Sequence, residues 1–202
     1  VSHFEYSFGA HLLFLKQCAR ILTDRIDPER LQRGLVLVMH QMGSHGPAYF
    51  KRSPRDLELF KPECQSNALQ QCTRQEVVNG YDNTIATTDR FLARSISWLR
   101  TQSARFDPGM LYVSDHGESI GENGLYLHGM PYALAPREQT RVPMILWVPA
   151  GGELDRSLKP GCLASLRDRQ ASHDNLFHTV MGWIGARADV YKPAQDLLAS
   201  CR

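Results

Sequence analysis

The chain has 202 residues, 43% of them hydrophobic and 22% charged, the balance of a globular domain with its own core. A net charge of +2 with no lysine/arginine-rich block excludes the electrostatic footprint of a nucleic-acid binder. The apolar piece near the start, "LLFL", is too short to span a bilayer, and "VSHFEYSFGAH" lacks a signal-peptide pattern, so any export is expected to be directed by sequence outside this chain.

Residues 1–33 form an N-terminal segment of uncertain character. Within it "GAHLLFLKQCARIL" reads as a short amphipathic helix, and Asp27 and Pro28 mark a cap or turn. "LVLVMH", from Leu35 to His40, is a branched apolar run bounded by Gly34 and the polar "QMGSHGP", which predicts a buried strand. Residues 51–74 are polar and read as an irregular surface excursion. Thr73 and Glu76 form a capping box ahead of a long helix over 75–100, whose apolar stripe is expected at Val77, Tyr81, Ile85, Thr88, Leu92, Ile96 and Leu99. "GMLYVSD" and "VPMILWVP" supply two further strands, at 110–113 and 144–148. Residues 150–171 read mostly as loop. Ser172 opens a last helix, with Leu176, Phe177, Val180, Met181 and Ile184 on its apolar side and Gly185 near its end. The alternation predicts an α/β fold in which one central sheet contains 35–39, 110–113 and 144–148, with helices on both faces.

The five cysteines leave two readings open. Cys64 and Cys72 bracket a polar loop, and Cys162 and Cys201 could tie the C-terminal residues to a surface loop, with Cys18 left over. Two bridges would imply an oxidising compartment, whereas five thiols would suit a cytosolic protein. Zinc binding by Cys64 and Cys72 fits less well, because no second close pair completes a ligand set.

Polar residues follow two of the strands directly, in "VMHQMGSHG" and "YVSDHGE", and the carboxyl ends of strands are where α/β sheets place their sites. Asp115 and His116 are donors that suit zinc, and a charged group just past a buried strand needs a partner. Gly117, Gly121 and Gly124 permit turns that bring His128 back, while His40 and His45 leave the neighbouring strand. Each also has a plainer reading: His40 as a hydrogen-bonding group within the strand end, His116 as a solvent-facing neighbour, His45 as an exposed loop histidine, Asp115 as a cap of the following turn. Glu118 and Glu122 fit orienting or surface groups better than ligands, and His173 and His178 fit structural roles.

"HQMGSHGPAYFKR", "YDNTIATTDRFL", "YVSDHGESIGENGLYLHGMPYALAP" and "SHDNLFHTVMG" closely resemble the lipid A phosphoethanolamine transferases, the polymyxin-resistance type within the alkaline phosphatase/sulfatase superfamily. The resemblance runs from about Gly34 to Cys201. It implies that residues 34–202 are the C-terminal part of a sulfatase-like catalytic domain, truncated on its N-terminal side, at the periplasmic face of the Gram-negative inner membrane. It implies transfer of phosphoethanolamine from phosphatidylethanolamine to lipid A or the lipopolysaccharide core through a zinc-activated threonine. Asp115 and His116 match the family's zinc ligands, and His45 and His128 match histidines that bind the phosphate group or a second zinc. "PECQSNALQQC" matches a family disulfide between Cys64 and Cys72.

The family's nucleophilic threonine, a further acidic ligand and a phosphate-contacting lysine have no matching motif in these 202 residues. The chain alone is therefore expected to be inactive, with membrane attachment supplied by segments outside it and self-association through sheet surface left exposed. A sulfatase or phosphodiesterase of the same superfamily, or a non-catalytic interaction domain, are the competing readings; a sulfatase would need a modifiable cysteine or serine motif, which does not occur.

Overall fold

Small polar residues, rather than an apolar stripe, decide how the longest helix packs. The computed structural model describes residues 2–6, Glu29 and 34–202. The helix expected over 9–22 and the turn at Asp27–Pro28 lie outside the described residues. The strands are β1 (Ser2–Tyr6), β2 (Leu37–Gln41), β3 (Met110–Val113), β4 (Ser119–Ile120), β5 (Tyr126–Leu127) and β6 (Met144–Trp147). The helices are α1 (Arg74–Gln102), α2 (Arg137–Thr140), α3 (Glu153–Ser157), α4 (Cys162–Leu166) and α5 (Asp174–Trp183). The chain divides into two units, one of 1–101 with 116–144 and one of 102–115 with 145–202.

In the first unit the expected capping box is formed: the Thr73 N–H donates to Glu76 Oε2 at 2.8 Å and the Glu76 N–H to Thr73 Oγ1 at 3.3 Å. The buried face of α1 is rotated from the expected stripe. It carries Val77, Gly80, Asn83, Thr84, Thr87, Phe91 and Ser95, while Ile85 is 45% exposed. The cause lies in 51–74, which is not a surface excursion throughout. Asn83 closes a ring on Phe60, accepting from its N–H at 2.9 Å and donating to its carbonyl at 3.0 Å. Asn79 donates to the Pro62 carbonyl at 2.7 Å, and Thr87 to Ser53 at 3.1 Å. Such amide and hydroxyl side chains satisfy loop backbone that would otherwise be buried unpaired. Cys64 and Leu69 from this segment join Tyr49 and Val77 in a buried cluster, against which Ile120, Tyr126 and Leu127 of the β4–β5 hairpin pack. The Cys64–Cys72 disulfide closes the segment.

The three apolar runs do not share one sheet among the described residues. β2 pairs in parallel with β1, from Ser2↔Leu37 to Tyr6↔Gln41; β3 pairs with β6, and β4 with β5 antiparallel. An apolar run predicts that a strand exists, but its partner is set by contacts distant in sequence. β2 also alternates between half-buried and exposed positions, with Val38 43% exposed, so it is not a strand buried on both faces.

In the second unit, 150–171 is partly ordered into α3 and α4, two five-residue helices; Leu154 of α3 and Leu158 just after it pack with Cys201, Cys162 and Trp183. The Cys162–Cys201 disulfide ties this corner to the last residues. Asp196 is 2% exposed and accepts from Tyr191 Oη at 2.7 Å, from the Leu198 N–H at 2.8 Å and from Arg202. His178 Nδ1 accepts the Lys192 N–H at 3.0 Å, and His173 Nε2 donates to the Ser114 carbonyl at 2.8 Å, the structural roles expected of both.

Candidate metal centre

The first unit gathers three histidines around one buried carboxylate. The loop after β2 carries His45, the turn into β4 carries His116, and the residue after β5 is His128. Their ring centroids are 3.7 Å apart for His116 and His128, 5.0 Å for His45 and His128, and 6.1 Å for His45 and His116. Glu118 is 7% exposed and holds the group together. Its Oε1 accepts the Gly46 N–H at 3.1 Å and faces His128 Nδ1 at 3.1 Å, and its Oε2 accepts from Tyr49 Oη at 3.3 Å. One side chain thus joins the His45 loop to the His128 strand, across sequence separations of 72 and 10.

Two local features make that approach feasible. A Cβ on Gly46 would stand 2.4 Å from Leu127 Cδ2 and 2.8 Å from Tyr49 Oη, so any side chain there would force Leu127 and Tyr49 to shift. Leu127 itself adopts φ +65°, a left-handed conformation that costs a branched residue about 1–2 kcal/mol. It redirects the chain just before His128.

The hydrogen bonds assign the tautomers. His45 Nδ1 lies 2.6 Å from the Gly46 carbonyl, His116 Nδ1 2.9 Å from the Gly117 carbonyl, and His128 Nδ1 beside Glu118. Each of these oxygens accepts only, so each Nδ1 carries a proton, and in the neutral ring the lone pair is on Nε2. Histidines that bind a metal ion almost always donate their other ring N–H to such an oxygen. Burial, and next the Glu118 charge beside it, push the Tyr49 phenol well above its ordinary range, which keeps it a donor to that carboxylate.

Ligand atoms of His116, Glu118 and His128 all lie within 4.8 Å of one another, so these three could hold a metal ion. Two imidazole nitrogens and a carboxylate oxygen are a donor set that suits zinc. His45, His116 and His128 are brought together as expected; His40 lies exposed in β2. Asp115 is exposed at the end of the chain stretch leading from β3, bonded through the backbone to His116, and is not one of the three donors. After burial, its charge is the second cause of the raised Tyr112 phenol. Glu118, read beforehand as an orienting or surface group, is the buried organiser. Tyr49 and Gly46 were missed as participants; the glycines of "GSHGPAY" were the only signal of close backbone approach.

Residues 13–186 match the Sulfatase family, and the chain belongs to it. Within the alkaline phosphatase/sulfatase superfamily it falls with the lipid A phosphoethanolamine transferases, as three relatives illustrate. It is 42% identical over 173 residues to phosphoethanolamine transferase EptA of Escherichia coli (strain K12), covering 85% of this chain and 32% of that protein. It is 54% identical over 115 residues to phosphatidylethanolamine transferase Mcr-2 of Escherichia coli, covering 57% of this chain and 21% of that protein. The solved integral membrane protein lipooligosaccharide phosphoethanolamine transferase A of Neisseria meningitidis superposes with a TM-score of 0.84 at 36% identity, covering 94% of this chain and 34% of that one. The chain spans about a third of the length of the EptA relatives it matches. No helix among the described residues is long and apolar enough to cross a membrane.

Proposed function

We propose that this chain, residues 34–202 above all, is the C-terminal part of the catalytic domain of a phosphoethanolamine transferase acting at the periplasmic face of the inner membrane. The parent protein would move phosphoethanolamine from phosphatidylethanolamine to a lipid A or core acceptor. The observation that carries this reading is the cluster of His45, His116, Glu118 and His128 in a chain 42% identical to EptA. Asp115 and His116 are the proposed zinc ligands, matched on the family motif, and His128 and Glu118 lie beside His116. A bound zinc ion would supply positive charge for phosphoryl oxygens and lower the pKa of an alcohol nucleophile.

The chain's own residues define the rest. Glu118 holds His128 with its proton on Nδ1, so that Nε2 can accept a proton or, once protonated, offset phosphate charge. The Gly46 carbonyl does the same for His45. Two disulfides suit an oxidising compartment such as the periplasm. The nucleophilic threonine is assigned to the rest of the parent, so these 202 residues bind metal and phosphate but form no covalent intermediate.

The test is incubation of the chain and of the longer parent with zinc and a labelled phosphatidylethanolamine analogue. Labelled acceptor from the parent, with no turnover by the chain, is the expected result. Robust turnover by the chain, with label on one of its own threonines, overturns the division of the site proposed here.

A further inference from the structure

The residue that organises the metal centre is itself held from the opposite side. Glu118 lies between Gly117 and Ser119, and both neighbours are tied to α2. The Gly117 N–H donates to the Gln139 carbonyl at 2.9 Å. A Cβ on Gly117 would stand 2.0 Å from the Glu138 carbonyl oxygen, so the two backbones are in direct contact. The Gln139 side chain donates through Nε2 to Ser119 Oγ at 2.9 Å. Gln139 is 6% exposed and Ser119 is fully buried.

With 117 and 119 held against α2, the Glu118 side chain is directed to Gly46, Tyr49 and His128. The amide is a poor choice for packing alone. Its Oε1 is buried with no hydrogen-bond partner, whereas a methionine would fill the same space with no polar atom to satisfy. What the amide adds is the one bond to Ser119.

We propose that Gln139 is a positioning residue for the metal and phosphate site: through Ser119 it orients Glu118, and through Glu118 it holds His128 in the Nδ1-protonated tautomer. The inference rests on the reading of His116, Glu118 and His128 as that site, but it is tested on the chain without any transfer reaction.

The experiment compares wild type, Gln139→Met, Ser119→Ala and the double variant, all as the full chain. Imidazole nitrogen chemical shifts at alkaline pH report the His128 tautomer, zinc affinity is measured by competition with a chromophoric chelator, and Tm is recorded for each. Wild type should show His128 protonated on Nδ1. Gln139→Met relieves the unpartnered Oε1 but strands the buried Ser119 hydroxyl, so Tm should change little, yet it should mix the tautomers and weaken zinc by about 3- to 10-fold, at or below the 10–100-fold range typical of groups that contact a ligand directly. Ser119→Ala should do the same, and the double variant should be no worse than either, because both remove one bond. A wild-type tautomer and zinc affinity in Gln139→Met, or additive losses in the double variant, overturn the proposal. Should Gln139→Met fail to fold, Ser119→Ala alone decides it. Should wild type bind no zinc, the metal reading falls, and the tautomer comparison still decides the role of Gln139.

Discussion

Replacing Glu118 separates its charge from its connectivity. Glu118→Gln keeps the shape and one acceptor oxygen, which can serve Gly46 and His128. Its new N–H group can donate to the Tyr49 oxygen once that hydroxyl rotates. Charge assistance and the acceptor of the Tyr49 O–H are lost, together about 2 kcal/mol. Glu118→Ala removes every acceptor. Tyr49 is 1% exposed, so neither its hydroxyl nor the buried Gly46 N–H can turn to bulk water, whereas the His128 side chain is 30% exposed and can. Two stranded donors at about 1–2 kcal/mol each, plus the cavity of the lost methylenes, give roughly 3–5 kcal/mol. For a chain of this size that is on the order of 10 °C in Tm. Thermal and urea unfolding under matched, zinc-free conditions measure it. Equal stability of Glu118→Ala and Glu118→Gln would refute the assignment of Glu118 as the bridge between the His45 loop and His128.

Gly117→Ala meets the Glu138 carbonyl at 2.0 Å, so the turn must shift; a loss of about 1–3 kcal/mol and weakened zinc binding are expected, and a wild-type Tm would show that α2 does not press on this turn. The disulfides should differ in weight. Loop-closure entropy gives about 2.5 kcal/mol for the separation of 8 between Cys64 and Cys72, and about 4 for the 39 between Cys162 and Cys201, so Cys201→Ser should lower denaturant resistance more than Cys72→Ser. Non-reducing peptide mapping should find both linkages. Bonds from the Thr73 backbone and then its hydroxyl lower the Glu76 pKa, so its stabilising contribution is present above the unfolded value and lost as pH falls through the folded one. The stability gap between wild type and Glu76→Gln should therefore be widest at neutral pH and close on acidification; a constant gap would count against the cap.

Local patterns carried much of this fold. The capping box at Thr73 and the long periodic segment located α1 to within two residues, at Arg74–Gln102 against an expected 75–100. Bounded apolar runs located β3 and β6. What such patterns leave open is which surface meets which. The face of α1 turns on Asn79, Asn83 and Thr87, whose partners lie 17 to 34 residues away in a segment read as polar and therefore exposed. Strand partners were missed for the same reason, since β2 pairs with "SHFEY", a segment with no apolar run to announce it. In the site, the histidines were legible because glycines and a strand end flank them. The part played by Tyr49 was not, because its partner Glu118 is 69 positions away and nothing about a tyrosine in "PAYF" distinguishes a packed ring from an orienting one. Gln139 was equally silent: its role exists only once α2 rests against Gly117.

Zinc content tests the central claim most directly. Wild type, Asp115→Ala and His116→Ala, each equilibrated with zinc, freed of unbound metal and analysed by atomic emission, should divide sharply. Wild type should retain the ion, and both variants should lose it or hold it far more weakly, because each lost donor leaves the desolvation of the ion less offset. Equal zinc content in all three proteins would contradict the assignment of Asp115 and His116 as ligands.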